Sequence, residues 1–163
     1  MAVIIVSGTP CTGKTYLAKK LAKLMKFKRI DVNEVISENK LKERYDKKRR
    51  SWVVDEVKLA KILVEKIKKS KNVIIDSHFS HYIPKKYVDL CIITKCDLKV
   101  LEKRLKKIGY IKRKVRGNLD AEIFDVCCNE AKEAGHKIMV VDTSSGQDLD
   151  ELAKKIRKRL NIK

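Results

Sequence analysis

The sequence has no run of 18 apolar residues, which excludes a helix able to span a bilayer. It opens Met1-Ala2-Val3 and runs straight into apolar residues, without the charged leader or small-residue cleavage site of a secretory signal. Its five cysteines, at 11, 91, 96, 127 and 128, are odd in number and irregularly spaced, so no disulfide framework is expected. Together these absences point to a reducing, cytoplasmic setting and to no membrane partner. No internal repeat, low-complexity tract or linker interrupts the chain, and 163 residues predict one domain with a substantial core. Carboxylates are scarce: 21 Asp and Glu stand against 40 Lys and Arg, a formal net charge of +19, and there is a single Gln, Gln147. That excess fits two readings. One is a polyanionic neighbour such as RNA. The other is a surface in which charged residues replace other polar ones, as in heat-adapted proteins.

Against this background one stretch is unusual. Gly8-Thr9-Pro10-Cys11-Thr12-Gly13-Lys14-Thr15 has two glycines five apart, closed by Lys and Thr. The glycines permit backbone angles at which successive N–H groups curl around an anion. Lys14 then reaches the β- and γ-phosphates of a nucleotide, and the Thr15 hydroxyl is a magnesium ligand. The context agrees. Val3-Ile4-Ile5-Val6 reads as a buried parallel strand, and Leu17, Leu21 and Leu24, with Ala18 and Ala22, recur at helical spacing. Strand, glycine loop and helix in that order make a P-loop, with Pro10, Cys11, Thr12, Gly13, Lys14 and Thr15 as its nucleotide-binding residues. Cys11 stands where such loops often carry another glycine.

Further along, Phe27–Ile30 reads as a second strand, and Asp31 as the cap of a helix bearing Val32, Val35 and Ile36. From Lys40 to Ser51 charge replaces pattern, which predicts a mobile, solvated segment. Its place between strand and helix also suits a closing flap, with Lys47–Arg50 as an anion-binding cluster. Val53, Val57, Ala60, Val64 and Ile67 give a helical stripe. Val73-Ile74-Ile75 is the next strand, and Asp76 at its end is placed to hold magnesium's water shell. His78, two residues on, would lie on the same side of an extended chain and orient a water or a phosphate. As a metal set, His78, His81, Cys91 and Cys96 fit no zinc spacing. Val88–Thr94 reads as a strand, then Asp97 as a cap for a helix with Leu98, Leu101, Leu105 and Ile108 inside. Gly109-Tyr110 ends it, and a basic loop, Lys112 to Arg116, leads past Gly117-Asn118 to a helix burying Ile123, Phe124, Cys127 and Ala131. Such a cation-rich connection suits a lid over phosphates. Ile138–Val141 is the last strand, followed by Ser145 and Asp148 as a capping box for a helix with Leu149, Leu152, Ile156 and Leu160. Five strands alternating with helices predict a three-layer α/β fold of the P-loop NTPase type. Its five-stranded parallel sheet is expected in the order 2-3-1-4-5, by analogy with P-loop kinases.

The P-loop, Asp76-Ser77-His78, Leu98 to Tyr110 and Asn118 to Phe124 together resemble one family, with Ile30-Asp31-Val32 also matching. It is the adenylate kinase isoenzyme 6 type, the coilin-interacting nuclear ATPase group and its archaeal relatives. The resemblance runs nearly end to end. It implies one P-loop kinase domain over residues 1–163, with an acceptor-nucleotide segment at about 31–57 and a lid at about 109–118. It further implies magnesium-dependent phosphate transfer from ATP to AMP, ATP hydrolysis, and a role in small ribosomal subunit maturation through protein uS11, beside ribosomal RNA. Thr15 and Asp76 would serve the metal and His78 hydrolysis. Arg104 would be a lid-hinge residue facing the phosphates, and Lys14 and Arg113 would hold ATP. Where the family has Arg-Gly-Tyr at the end of the lid helix this chain has Ile108-Gly109-Tyr110, leaving Arg113 and Arg116 as the nearby guanidinium groups. Two functions follow from the resemblance, a nucleoside monophosphate kinase and an ATP-switched assembly factor. The absence of a Gly-Gly pair speaks against a small-molecule kinase such as one for shikimate.

Overall fold

The computed structural model describes residues 1–162. Most strands of the main sheet are short runs rich in β-branched residues that alternate their side chains between two helical layers. β1 (Ala2–Ser7), β2 (Lys28–Asp31), β5 (Asn72–Asp76), β6 (Leu90–Lys95) and β7 (Ile138–Asp142) form the sheet in the order β2-β5-β1-β6-β7, all neighbours parallel. Numbered within the sheet alone, this is the expected 2-3-1-4-5.

Ile4, Val6, Ile74, Leu90 and Ile92 point to one face, against α1 (Lys14–Met25) and α7 (Leu149–Leu160). Val3, Ile5, Val73, Ile75, Cys91 and Ile93 point to the other. There they meet α2 (Val32–Glu38), α3 (Glu56–Lys68) and α6 (Val126–Glu133). A smaller cluster of Cys96, Leu101, Leu105 and Val115 joins α4 (Leu98–Lys107) to α5 (Lys112–Ile123). Caps fall where short acidic side chains can accept orphan amides. Asp31, Asp55, Asp97 and Asp148 start α2, α3, α4 and α7. Among the described residues no helix is long and apolar enough to cross a membrane.

The structure corrects several expectations. Lys40–Ser51 is not a featureless segment: β3 (Lys42–Asp46) and β4 (Ser51–Val54) pair as an antiparallel hairpin. Its outward residues are polar, so it has no apolar alternation to read. It is held by the Tyr45–Trp52 edge contact, 5.4 Å between centroids, and by buried Leu41 at its base. The inner face of α3 is Leu59, Leu63, Val64 and Ile67, while Val57 is 68% exposed and Val53 belongs to β4. Helical phase, set by the Asp55 cap, decides which apolar residues are inside. Likewise Leu24 is partly exposed beside buried Leu21 and Met25. The basic run Lys112–Arg116 is not a loop but the opening of α5. Ile123 and Phe124 are exposed because α5 stops there, and Asp125 turns the chain with φ +51° before α6. Finally, the α7 cap is Asp148, whose carboxylate accepts from the Glu151 amide at 2.9 Å; Ser145 is in the exposed loop before it.

Candidate active site

The phosphate-binding loop joins β1 to α1 at the C-terminal edge of the sheet. Gly8 has φ +147°, and a Cβ there would collide with Thr94 Oγ1 and lie 2.8 Å from the Thr94 carbonyl oxygen. Only glycine lets β1 turn this close to β6. Gly13, with φ +86°, starts α1. Between them Cys11 also lies in the left-handed region, φ +66°, a conformation that costs a residue with a Cβ about 1–2 kcal/mol. That is the physical reason a glycine suits this position, and Cys11 occupies it at the cost of strain.

Side chains stiffen the loop. Thr12 Oγ1 donates to the Thr9 carbonyl at 2.6 Å and shares a hydrogen bond of 2.6 Å with Thr94 Oγ1. Thr143 Oγ1 donates to the Thr12 carbonyl at 2.5 Å. Lys14 Nζ donates to the Gly8 and Thr9 carbonyls, both at 2.9 Å, at the mouth of the loop. Burial pushes its pKa down to about 8, with Asp76 among the groups that oppose the shift. A phosphate in the loop would supply the negative charge that this cation wants.

Thr15 Oγ1 donates to Asp76 Oδ2 at 3.0 Å. A hydroxyl and a carboxylate oxygen side by side, beside a phosphate loop, are hard oxygen donors suited to Mg²⁺. Thr15 and Asp76 would hold the ion, which when bound neutralises charge on the transferring phosphoryl group. Among the described residues no group of three or more His, Cys, Asp or Glu could hold a metal ion.

A residue that the sequence reading missed completes this corner. Arg29 Nε donates to Asp76 Oδ1 at 2.8 Å, and its Nη2 donates to Asp31 Oδ2 at 2.8 Å. Asp31 in turn accepts from the Asn33 amide as the cap of α2. One guanidinium therefore links Asp76 to the helix that walls the neighbouring cavity. The register of β2 on β5, Asp31 opposite Asp76, brings the two acids together and demands a cation between them. A strand arginine flanked by Lys28 and Ile30 gives no such signal by itself.

Two cavities open in this region, one of them lined by the loop itself. One, about 610 Å³, is lined by Cys11, Gly13, Tyr16, Arg104, Thr143 and the segment through Gln147. Arg104 lies here, donating to the Thr143 carbonyl at 2.8 Å and to the Cys11 carbonyl at 3.4 Å. It clamps the loop after β7 to the phosphate loop. The other cavity, about 620 Å³, lies between α2, the hairpin and the turn after β5, with Asn33, Lys42, Arg49, Trp52, His78 and Phe79 among its walls. His78 reaches it by another route than expected. The chain does not stay extended after Asp76 but turns, with the Phe79 amide donating to Ser77 Oγ and the Ser80 amide to the Ser77 carbonyl. His78 opens onto the cleft yet is crowded by protein on its other sides. That crowding, with Lys14 and His81 nearby, pushes its pKa down to about 4. It is neutral at pH 7 and able to accept a proton.

The expected lid residues separate. Arg113 lines a third opening, between the hairpin tip and α5, with Asp46, Lys48 and Arg49. Arg116 instead pairs with Asp120 at 2.9 Å on the outer side of α5. Ile108 is more than half exposed. Lys114, a member of the same basic run, donates to the Arg50 carbonyl at 3.1 Å and sits 4.0 Å over the Tyr110 ring, so it ties α5 to the hairpin. Behind the loop a second unforeseen group, buried His81, joins Ser7 Oγ at 2.8 Å to Glu130 of α6 at 2.8 Å.

Comparison with known proteins agrees with this geometry. The AAA domain family matches residues 4–125. A Methanocaldococcus jannaschii protein provisionally named an adenylate kinase is 34% identical, over 94% of this chain and 85% of its own. The adenylate kinase isoenzyme 6 homologs of Dictyostelium discoideum and Schizosaccharomyces pombe are 33% and 34% identical, over 87% and 91% of this chain and 81% and 84% of theirs. Among solved structures, the YorR protein of Bacillus subtilis in complex with phosphorylated GDP superposes with a TM-score of 0.62 at 20% identity, covering 98% of this chain and 96% of that one. Shikimate kinase from Bacteroides thetaiotaomicron gives 0.58 at 15%, covering 99% of each chain. These two share the fold. With the phosphate loop, its carboxylate partner and the near full-length relatives in view, the chain belongs to the adenylate kinase isoenzyme 6 family of P-loop proteins.

Proposed function

We propose that this protein transfers the γ-phosphoryl group of Mg-ATP to AMP. The observation that carries the reading is a pair of cavities, one lined by Cys11 and Gly13 of the phosphate loop and the other by His78, which lies near Lys14 and two residues past Asp76; they offer separate places for a donor and an acceptor nucleotide. The relatives' name, adenylate kinase, supports AMP as the acceptor. In the donor cavity, Arg104 and the loop after β7 bracket the nucleoside, and the loop amides and Lys14 take the phosphates. In the acceptor cavity, Trp52 and Phe79 offer ring faces to a base, and Lys42 and Arg49 offer charge to its phosphate. An oxygen of the acceptor phosphate bonds to the γ-phosphorus as the bond to the β–γ bridging oxygen breaks, leaving two ADP. Arg113 of α5 moves in over the charge that spreads across the phosphoryl oxygens. When water replaces AMP, neutral His78 takes its proton and the products are ADP and phosphate.

A second reading has its own support. Ile108 stands where the resembled family has an arginine, and Arg116 is engaged by Asp120, so neither position offers a free guanidinium to the phosphates. That favours a protein in which ATP turnover drives a conformational switch, assisting small-subunit maturation with uS11 and ribosomal RNA, with kinase chemistry incidental. ATP consumption by the purified protein with magnesium, alone and with AMP, CMP, UMP or shikimate, tests both. ADP formation that rises at least tenfold with AMP and not with shikimate supports the kinase. Turnover indifferent to every acceptor overturns it in favour of the switch, and stimulation by uS11 then supports that second reading. A His78→Ala protein that hydrolyses ATP at the original rate removes the role given to that residue.

A further inference from the structure

The positive charge of this protein is not spread evenly. Residues 1–30 contain seven Lys and Arg and no Asp or Glu, and residues 152–163 contain six and none. Thirteen cations and no carboxylate thus fall in 42 residues. The other 121 residues hold 27 cations against 21 carboxylates, so most of the +19 excess comes from a quarter of the chain. The fold brings these two distant stretches together. α1 and α7 pack side by side on the same face of the sheet. Gly13 and Leu149 meet at one end, while Arg157 Nη2 donates to the Met25 carbonyl at 3.4 Å at the other. The helices therefore run in the same direction.

Their apolar stripes are consumed by the core, and their outer sides are basic. Lys19, Lys20, Lys23 and Lys26 are exposed on and just beyond α1. Lys154, Lys155, Lys158 and Arg159 are exposed on α7. Among the described residues only Lys155 of these eight has a carboxylate partner, Glu151 at 2.6 Å. Elsewhere the exposed helices balance their charges in pairs, Lys68 with Glu65, Lys106 with Glu102, Arg116 with Asp120. Cations do suit helix C-termini, but that preference covers only the last turn. It leaves Lys19, Lys20 and Lys154 unexplained. Lys19, Lys23 and Lys26 fall on one line along α1, about 10 Å long. Lys154 and Lys158 fall on a parallel line on α7. The surface reaches toward the pole opposite the phosphate loop.

We infer that this α1–α7 face binds the phosphate backbone of duplex RNA. Lysine dominates it, and protein–protein interfaces are depleted in lysine. A bilayer surface would require a stripe of inserted apolar side chains, and on these two helices only Tyr16 and Leu24 are large apolar residues left exposed. Among the described residues no element projects from the two-helix layer into a major groove, as B-DNA readers need, whereas A-form RNA offers a wide, shallow groove to a flat face. Binding of this kind is salt-dependent and indifferent to sequence. It does not depend on the catalytic reading.

Fluorescence anisotropy with a 20-base-pair RNA duplex, without nucleotide, tests it. The expected result is micromolar affinity, with log Kobs falling against log salt at a slope of about −4 to −5. A variant with Lys19, Lys23, Lys26, Lys154 and Lys158 all changed to Gln should bind at least about 30-fold more weakly, with the slope reduced by about 4. A charge-matched variant with Lys58, Lys61, Lys69, Lys71 and Lys99 changed to Gln should lose less than about fivefold. The double variant Lys23→Gln, Lys158→Gln, expected to lose about tenfold, carries the test if the fivefold variant fails to fold. Equal losses in the two charge-matched sets overturn the proposal, because net charge alone would then explain binding. Tighter binding to a DNA duplex of the same sequence overturns it, as does capture by phosphatidylserine vesicles without binding to RNA. Turnover of ATP is irrelevant to every arm, so failure here is distinct from failure of the kinase reading.

Discussion

The two walls of the catalytic cleft are built in opposite ways. The phosphate loop is fixed from behind. Gly8 has no room for a side chain against Thr94, Thr12 is bonded within the loop and to β6, and Thr143 reaches across from β7. The hairpin opposite is held mostly by its own Tyr45–Trp52 contact, by Leu41 at its base and by one bond from Lys114. On the proposed reading the donor side is preorganised for phosphates, and the acceptor side has few ties to hold it against movement with its ligand. A charge spread over a transferring phosphoryl group gains most from dipoles that need no reorganisation, whereas an acceptor must enter and leave.

The contrast can be broken at the rigid wall first. Gly8→Ala should abolish measurable ATP binding, since both its backbone angle and its contact with Thr94 forbid a Cβ. Lys14→Met should keep the fold and lower kcat/KM by about 10²–10³. Its unfolding midpoint should not fall, because the buried cation is itself a burden on the native state. A Lys14→Met protein with undiminished turnover would remove the basis of the site.

Next in size is Arg29→Met. It leaves Asp76 and Asp31 facing each other without a cation, and should cost about 2–4 kcal/mol in chemical denaturation. Added Mg²⁺ should restore part of that loss in the variant and little in the parent protein. A variant as stable as the parent would show that the bridge is incidental.

The pH dependence comes third. Lys14 has a folded pKa of about 8 against an ordinary value of 10.5. A depressed lysine makes the native state bear the cost of a buried cation below pH 8, a cost that fades between pH 8 and 10.5. Bound ATP stabilises the charged form, so ATP affinity should be flat up to pH 8 and then weaken by up to about tenfold per unit. Titration calorimetry across pH, with proton uptake above pH 8, checks this. Neutral His78 should contribute an inflection near 4 and none near 6.5.

The smallest effect belongs to the mobile wall. Trp52→Ala should raise the KM for the acceptor about three- to tenfold and leave the KM for ATP unchanged, with little loss of stability since Trp52 is half exposed. A change in the ATP term would mean that the hairpin is not independent of the loop.

Much of this was legible in the sequence because the physics is local. Glycines at fixed spacing, a β-branched strand before them and short acidic caps each act within a few residues. Five strands alternating with helices leave few arrangements. The hairpin was not legible because a two-stranded ribbon with solvent on both sides has no buried face to impose alternation. Val57 and Phe124 misled because apolar spacing does not reveal helical phase once a cap or a break resets it. The partners of Arg29, Lys114 and His81 were invisible for a different reason. Their roles come from register and packing between segments about 45 to 75 residues apart, and a lone charge carries no trace of its partner.

The bridge from Asp76 through Arg29 to Asp31 also has a hereditary consequence. Three positions that share one guanidinium are not free to drift one at a time. Loss of the arginine strands two acids, and loss of either acid leaves a half-buried cation. Lineages related to this chain should therefore keep Arg29 and Asp31 together or discard both, replacing the pair with neutral residues while retaining Asp76 for the metal. The strand β2 is short and unremarkable in composition, yet its Arg29 and Asp31 form a single unit of inheritance.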